Sequence, residues 1–165
     1  MINISPKYIG LIIGALMVIV SLLMFYQFEY PDTGVVKYVC FSIYTAGILF
    51  ALFNFKLSTV PTIKDFKNYF SEGFKTFVVV SLIMAIFTWV FYKYNPQIFD
   101  TTINEINKIN AQDLNKTPQE VIANGEKIRA VQIPMTVAIN TIVYMVIGAV
   151  VSVIGAGFLS QKKMN

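Results

Sequence analysis

Four long stretches without a single charged side chain constrain this chain more than any other feature of its sequence. They cover residues 8–28, 38–55, 76–92 and 134–159. A helix needs about 20 apolar residues to cross the hydrocarbon core of a bilayer, and about 17 suffice. Only 13% of the residues are charged, against about 25% in soluble domains. We therefore expect an all-α integral membrane protein, with residues 1–165 forming one four-helix transmembrane bundle.

The distribution of lysines predicts the side of the membrane on which each connection lies. The segment 56–75 carries four lysines, and the C-terminal tail carries Lys162 and Lys163. The loop 29–37 has one lysine beside two carboxylates, and the segment 93–132 balances five basic residues with five acidic ones. Short lysine-rich segments stay on the cytoplasmic side. We therefore expect both termini in the cytoplasm.

The polar lead into the third span predicts an interfacial helix over residues 62–74. Apolar rings on one face and lysines on its flank suit the membrane surface. These residues are Phe66, Phe70, Phe74, Lys64 and Lys67. Thr62 would cap this helix, and Gly73 would let it bend into the span. The alternative is a single longer third helix whose first turns lie outside the bilayer.

A second polar segment, residues 96–131, predicts an extramembrane pair of short helices between spans three and four. Ile103 and Ile106 share one face of the first helix. Thr117 and Glu120 have the spacing of a capping box at the start of the second. We expect these two helices to form an ordered cap, which either binds a partner or shields the bundle.

Small residues recur at four-residue spacing within the spans and predict sites of close helix packing. The predicted packing residues are Gly10, Gly14, Gly47, Ala51, Gly148, Ser152 and Ala156. These rows suit contacts within the bundle, with Gly14 and Ser152 expected at close contacts between spans one and four, and they also suit a dimer or partner face. Asn140 lies about two turns into the fourth span, whereas Gln27 and Asn54 lie near span ends. We interpret Asn140 as an interhelical hydrogen-bonding residue, with a ligand-binding or gating role as the alternative.

The sequence offers little for catalysis. It contains no histidine and a single cysteine, Cys40, and no span contains an ionisable carboxylate or amine. Intramembrane charges are the usual mark of ion-coupled transport. We expect no catalytic residue, cofactor or metal, and positive-inside bias explains the net charge of +4 without a nucleic acid. A non-catalytic accessory or scaffold subunit is the first hypothesis. The alternative is a small transporter or permeation pathway for a lipid or neutral solute.

Residues 68–100, NYFSEGFKTFVVVSLIMAIFTWVFYKYNPQIFD, are followed by a polar segment with TPQE and a glycine-rich last span that leads into QKK. This order resembles a family of Bacteroidota membrane proteins known as domain of unknown function 4199. The resemblance implies a multi-pass protein in the plasma (inner) membrane of a Gram-negative bacterium. It implies no catalytic residue or cofactor. The expected partners are membrane lipid and either another protein or further copies of this chain.

The predicted topology can be tested by labelling single cysteines in intact cells. Lys108→Cys and Lys64→Cys would each be introduced with Cys40→Ser, so that one thiol remains. A membrane-impermeant maleimide should label position 108 and spare position 64, because only the former is expected outside the cytoplasm. Labelling at 64 and not at 108 would reverse the orientation.

Overall fold

The computed structural model describes residues 4–27, 33–58, 64–111 and 117–161. Helices account for nearly all of these residues, and none of them lies in a strand. In chain order they are α1 (Pro6–Gln27), α2 (Thr33–Leu57), α3 (Phe66–Tyr94), a 3-10 helix (Pro96–Phe99), α4 (Asp100–Ala111) and α5 (Pro118–Ser160). The predicted all-α fold class is confirmed.

Within the described ranges, four helices are long and apolar enough to cross a membrane, namely α1, α2, α3 and α5. This confirms the expectation of four membrane-spanning helices. With 29 and 43 residues, α3 and α5 are longer than the roughly 20 residues that a bilayer crossing needs. Their surplus turns carry the charged residues of each helix, at the start of α5 and at the start of α3, which also has Lys93 in its last turn.

The start of α3 differs from the predicted surface helix. From Phe66 onward the residues assigned to that helix belong to α3, which is a single α-helix to Tyr94. Positions 62 and 63 lie outside the described residues. The carboxylate of Asp65 accepts a 2.8 Å hydrogen bond from the Asn68 N–H, so Asp65 caps the helix in the manner predicted for Thr62. The structure thus agrees with the alternative interpretation, in which these residues form the first turns of a single longer third helix.

Gly73 lies at a close contact between two helices and not at the bend that the sequence predicted. A Cβ atom built on Gly73 would lie 2.5 Å from Oγ of Ser152. The glycine is therefore the point where α3 and α5 approach closely. Its missing side chain provides space for a neighbouring helix, and the α-helical hydrogen bonding of α3 passes through it unbroken.

The second predicted cap helix is not separate from the fourth span. Its residues form the first turns of α5, which continues through Pro134 to Ser160. A proline inside a helix removes one backbone hydrogen bond, and membrane helices tolerate this where neighbouring groups compensate. The predicted turn residues 112–116 lie outside the described part of the chain.

The fold divides into two compact units. The first unit comprises Met1–Met84 with Thr141–Asn165, and the second comprises Ala85–Asn140. The first unit contains α1, α2, the first part of α3 and the last part of α5. Its buried core includes Met17, Tyr44 and Ile48. The second unit contains α4 together with the remaining parts of α3 and α5.

Two glycines of α1 lie against α3 inside the first unit. A Cβ on Gly10 would lie 2.9 Å from the backbone oxygen of Thr76, and one on Gly14 would lie 2.6 Å from Cδ1 of Ile83. We expected Gly14 and Ser152 at close contacts between spans one and four. The structure places both against α3, which packs on α1 and α5.

A substitution at Gly14 should therefore destabilise the protein by overpacking. Gly14→Leu forces a side chain into Ile83, and overpacking of this kind costs about 1–3 kcal/mol. We expect a clearly lower melting temperature in detergent. Gly157→Leu is the matched control, because nothing lies within 4 Å of a Cβ at that position. Equal melting temperatures for the two variants would contradict a tight α1–α3 contact.

Candidate functional site

A pair of tyrosines forms the polar centre of the first unit. Tyr44 of α2 is fully buried, and its hydroxyl donates a 2.7 Å hydrogen bond to the backbone oxygen of Tyr144 in α5. The two rings meet edge to face with centroids 5.4 Å apart. Gly148 makes this contact possible, because a Cβ there would collide with the Tyr44 hydroxyl.

Several weakly polar groups are buried near this pair. Ser81 is buried near the Tyr44 hydroxyl, yet the hydroxyls of Ser81 and Ser152 make no hydrogen bond within the described residues. Cys40 Sγ and Ser21 Oγ lie 3.4 Å apart and link α2 to α1. Hydroxyl and thiol groups at these positions can form hydrogen bonds between helices or to a small ligand. No cluster of acidic residues and cysteine suited to a metal ion occurs in the described ranges.

The other predicted packing positions are distributed over the two units. Gly47 of α2 lies directly against Ile13 of α1. Ala51 is buried, and Ala156 belongs to a core cluster with Leu52 and Tyr69. Asn140 is half-buried in the second unit. Its hydrogen-bonding or gating role stays a prediction.

The phenylalanines at the start of α3 form a continuous ladder of rings. Phe66 and Phe70 are stacked with centroids 6.3 Å apart, and Phe70 and Phe74 follow at 6.1 Å. Phe77 closes the ladder 5.1 Å from Phe74 and is buried, whereas Phe66 and Phe74 remain 45% and 46% exposed. Phe70 packs partly against the cluster that contains Tyr69. The ladder thus runs from the outer surface of the helices into their core.

The lysines around this ladder have different contacts. Lys64 donates to the backbone oxygens of Lys56 and Ser58 at 2.6 and 2.8 Å, where its charge complements the C-terminal end of α2. Lys75 forms a 2.9 Å ion pair with Glu72. The side chain of Lys67 is exposed. The pattern predicted for the helix flank did not distinguish these three environments.

The start of α5 carries the capping box that the sequence predicts. The Glu120 carboxylate accepts from the backbone N–H of Thr117 at 2.7 Å, and Thr117 Oγ1 accepts from the Glu120 N–H at 3.3 Å. Each residue thereby satisfies a backbone donor of the first turn. This local hydrogen bonding fixes where α5 begins.

Buried apolar side chains, a close approach at Gly125 and one ion pair characterise the helix pair of the second unit. Ile103 of α4 and Val121 of α5 are buried, and Ile106 is half-buried. A Cβ on Gly125 would lie 2.7 Å from Oδ1 of Asn107. Arg129 forms a 2.6 Å ion pair with Asp100. Since position 107 lies opposite 125 and position 100 opposite 129, the two helices are antiparallel.

Apolar side chains remain exposed on this pair. Ile109 is 68% exposed, Ile122 62% and Val131 56%. Ile109 follows Asn107 and Ile122 precedes Gly125, so both isoleucines lie at the same end of the antiparallel pair. We call Ile109 and Ile122 the apolar tip. The sequence analysis missed it, although an isoleucine next to the inward-facing Val121 was the available signal.

An open apolar groove lies between α1 and α2 in the first unit, with a volume of about 380 Å³. Ile9, Ile12 and Leu16 line its α1 side, and Ile43, Gly47 and Phe50 line its α2 side. Asn54 lies towards the N-terminal end of α1 and donates a 2.9 Å hydrogen bond to the backbone oxygen of Ile4. The groove offers van der Waals contact and no polar group for a solute.

Residues 8–161 match the model of a protein family described as "Protein of unknown function (DUF4199)". The match covers nearly the whole chain, including all four apolar helices. No protein of curated function matches the chain, and neither does any solved structure.

The buried tyrosine contact yields a stability prediction. Tyr44→Phe removes the hydroxyl and leaves its ring contact, and interhelical hydrogen bonds in membrane proteins contribute about 0.6 kcal/mol, at most about 1.7. We expect a lower melting temperature in detergent by a few degrees. Tyr38→Phe should change nothing, because Tyr38 is 76% exposed. Equal melting temperatures for Tyr44→Phe and wild type would contradict a stabilising role for the hydroxyl.

Proposed function

The chain belongs to the DUF4199 family, and we propose that it is a non-catalytic membrane subunit that binds another envelope protein through its extramembrane helix pair. In this proposal it resides in the plasma (inner) membrane of a Gram-negative bacterium with both termini in the cytoplasm. The partner is a different protein or a further copy of this chain. The role is that of an accessory or scaffold subunit, with no reaction of its own.

The apolar tip carries this proposal. Isolated helices as short as α4, with 12 residues, are marginal in water. Burial of Ile103 and Val121 accounts for the order of the pair, yet Ile109 and Ile122 remain largely exposed. An apolar end on a helix pair rich in Asn, Lys and Glu is typical of an interaction site.

The polar contacts of the pair support a rigid docking element. The Arg129–Asp100 ion pair joins the two helices at the end away from the tip, and the Thr117–Glu120 capping box fixes the first turn of α5 next to the tip. A preformed surface loses less conformational entropy on binding than a flexible loop does. Binding through such an element needs neither a cofactor nor a buried charge.

The second candidate is a carrier for a lipid or neutral solute, and it draws support from the groove between α1 and α2. The groove suits an alkyl chain, since its lining is apolar. Transporters usually bind substrate near the bilayer midplane between structural repeats. The buried centre of the first unit is instead filled by Tyr44, Ile48 and Leu52, which favours the binding role.

Co-purification of matched variants tests the proposed function. Tagged wild type, Ile122→Ser and Ala123→Ser would be extracted in mild detergent at equal expression. Both substitutions introduce a serine at an exposed position of α5, and only the first removes apolar surface from the tip. We expect a stoichiometric partner with wild type and Ala123→Ser and a several-fold loss with Ile122→Ser at an unchanged melting temperature.

Two outcomes would contradict the proposal. One is a wild-type preparation that contains neither a stoichiometric partner nor a homo-oligomer. The other is equal recovery of the partner with Ile122→Ser and Ala123→Ser. Hydrogen exchange measured across the helix pair gives an independent reading, because a bound partner should increase protection near Ile109 and Ile122.

A further inference from the structure

We propose that the exposed face at the start of α3 binds an anionic phospholipid, with Lys67 holding the phosphate and the rings of Phe70 and Phe74 contacting the glycerol and upper acyl chains. This site is independent of the proposed protein partner, since its residues lie in the first unit and the apolar tip lies in the second.

The length of α3 places these residues at the depth of the lipid headgroups. The helix has 29 residues and is therefore about 43 Å long, whereas its uncharged part, 76–92, covers about 25 Å of a hydrocarbon core of about 30 Å. Residues 66–75 carry the charges of this end. They therefore lie in the interfacial region, where phosphates are the neighbouring groups.

The packing at the start of α3 determines which face of this helix is exposed. Tyr69, Gly73 and Phe77 are buried, with Gly73 against Ser152 of α5. Beside this buried face, Lys67, Phe70 and Phe74 follow at spacings of three and four residues, which places their side chains next to one another on a helix. Phe70 is partly buried against the cluster that contains Tyr69, whereas Lys67 and Phe74 are exposed. Phe74 is about half exposed. A lysine beside exposed aromatic rings suits a phospholipid, because the phosphate of the lipid continues into apolar acyl chains.

Charge complementarity selects an anionic lipid. Residues 56–75 contain four lysines and two carboxylates. Lys64 is engaged with the end of α2, Lys75 is paired with Glu72, and Asp65 caps α3. Lys67 is exposed and has no recorded partner among the described residues. Lys56 is exposed as well but belongs to α2, so Lys67 is the available lysine on the helix that carries the phenylalanine ladder.

Native mass spectrometry of the delipidated full-length protein tests the site directly. Phosphatidylglycerol and phosphatidylcholine with identical acyl chains would be titrated separately into wild type, Lys67→Gln, Lys67→Arg and Lys56→Gln. A lysine near an anionic membrane surface contributes about 1 kcal/mol, so Lys67→Gln should bind phosphatidylglycerol about fivefold more weakly. Its affinity for phosphatidylcholine should not change, and Lys67→Arg should retain binding.

Lys56→Gln is the matched control because it removes the same charge from an exposed lysine of the first unit that belongs to α2 and not to the ladder-bearing α3. We expect it to retain the phosphatidylglycerol affinity of wild type. Equal weakening in Lys56→Gln and Lys67→Gln would show only a diffuse effect of net charge and would overturn the site. Equal wild-type affinity for the two lipids would also overturn it. Melting temperatures in lipid-free detergent confirm that each variant is folded.

Discussion

Close backbone approach to α3 is the constraint on which the first unit depends. Lipid tails are as apolar as leucine, so helices inside a bilayer gain little from hiding apolar surface from one another. They associate through van der Waals contact and hydrogen bonds, which require short distances. Gly10 and Gly14 allow this on the α1 side, while Gly73 and Gly148 allow it between α3 and α5. Larger side chains at these points would separate the helices.

The buried hydrogen bonds depend on the same proximity. The Tyr44 hydroxyl reaches the backbone oxygen of Tyr144 only because Gly148 presents no side chain to it. The Thr76 hydroxyl likewise lies 3.3 Å from the backbone oxygen of Pro6, next to the point where Gly10 meets α3, and shares its proton with the backbone oxygen of Glu72 at 3.0 Å. Small residues and polar contacts therefore act together: the first bring two helices close, and the second fix their register.

The sequence predicts the spans and the capping box because both are local properties. A charge-free run of sufficient length specifies a membrane helix, and the Thr117–Glu120 spacing specifies its own hydrogen bonds. Gly73 was interpreted wrongly for a related reason, and so was the boundary between the second cap helix and the fourth span, since α5 continues through Pro134. A glycine between polar and apolar segments is equally compatible with a bend and with a close contact, and the deciding neighbour, Ser152, lies far away in sequence. A proline marks a helix end only where nothing else supports continuation.

The lysines show how one residue type serves several purposes at one end of a membrane protein. A count of positive charges is sufficient to orient the spans, since each lysine adds to the bias irrespective of its contacts. It cannot identify a binding residue. Lys64 stabilises the last turn of α2 and Lys75 is neutralised by Glu72. Lys64 and Lys75 are therefore engaged in contacts that stabilise the fold. Lys67 lies beside the phenylalanine ladder without such a contact in the described part of the chain, so a substitution there should alter lipid binding and leave the fold unchanged.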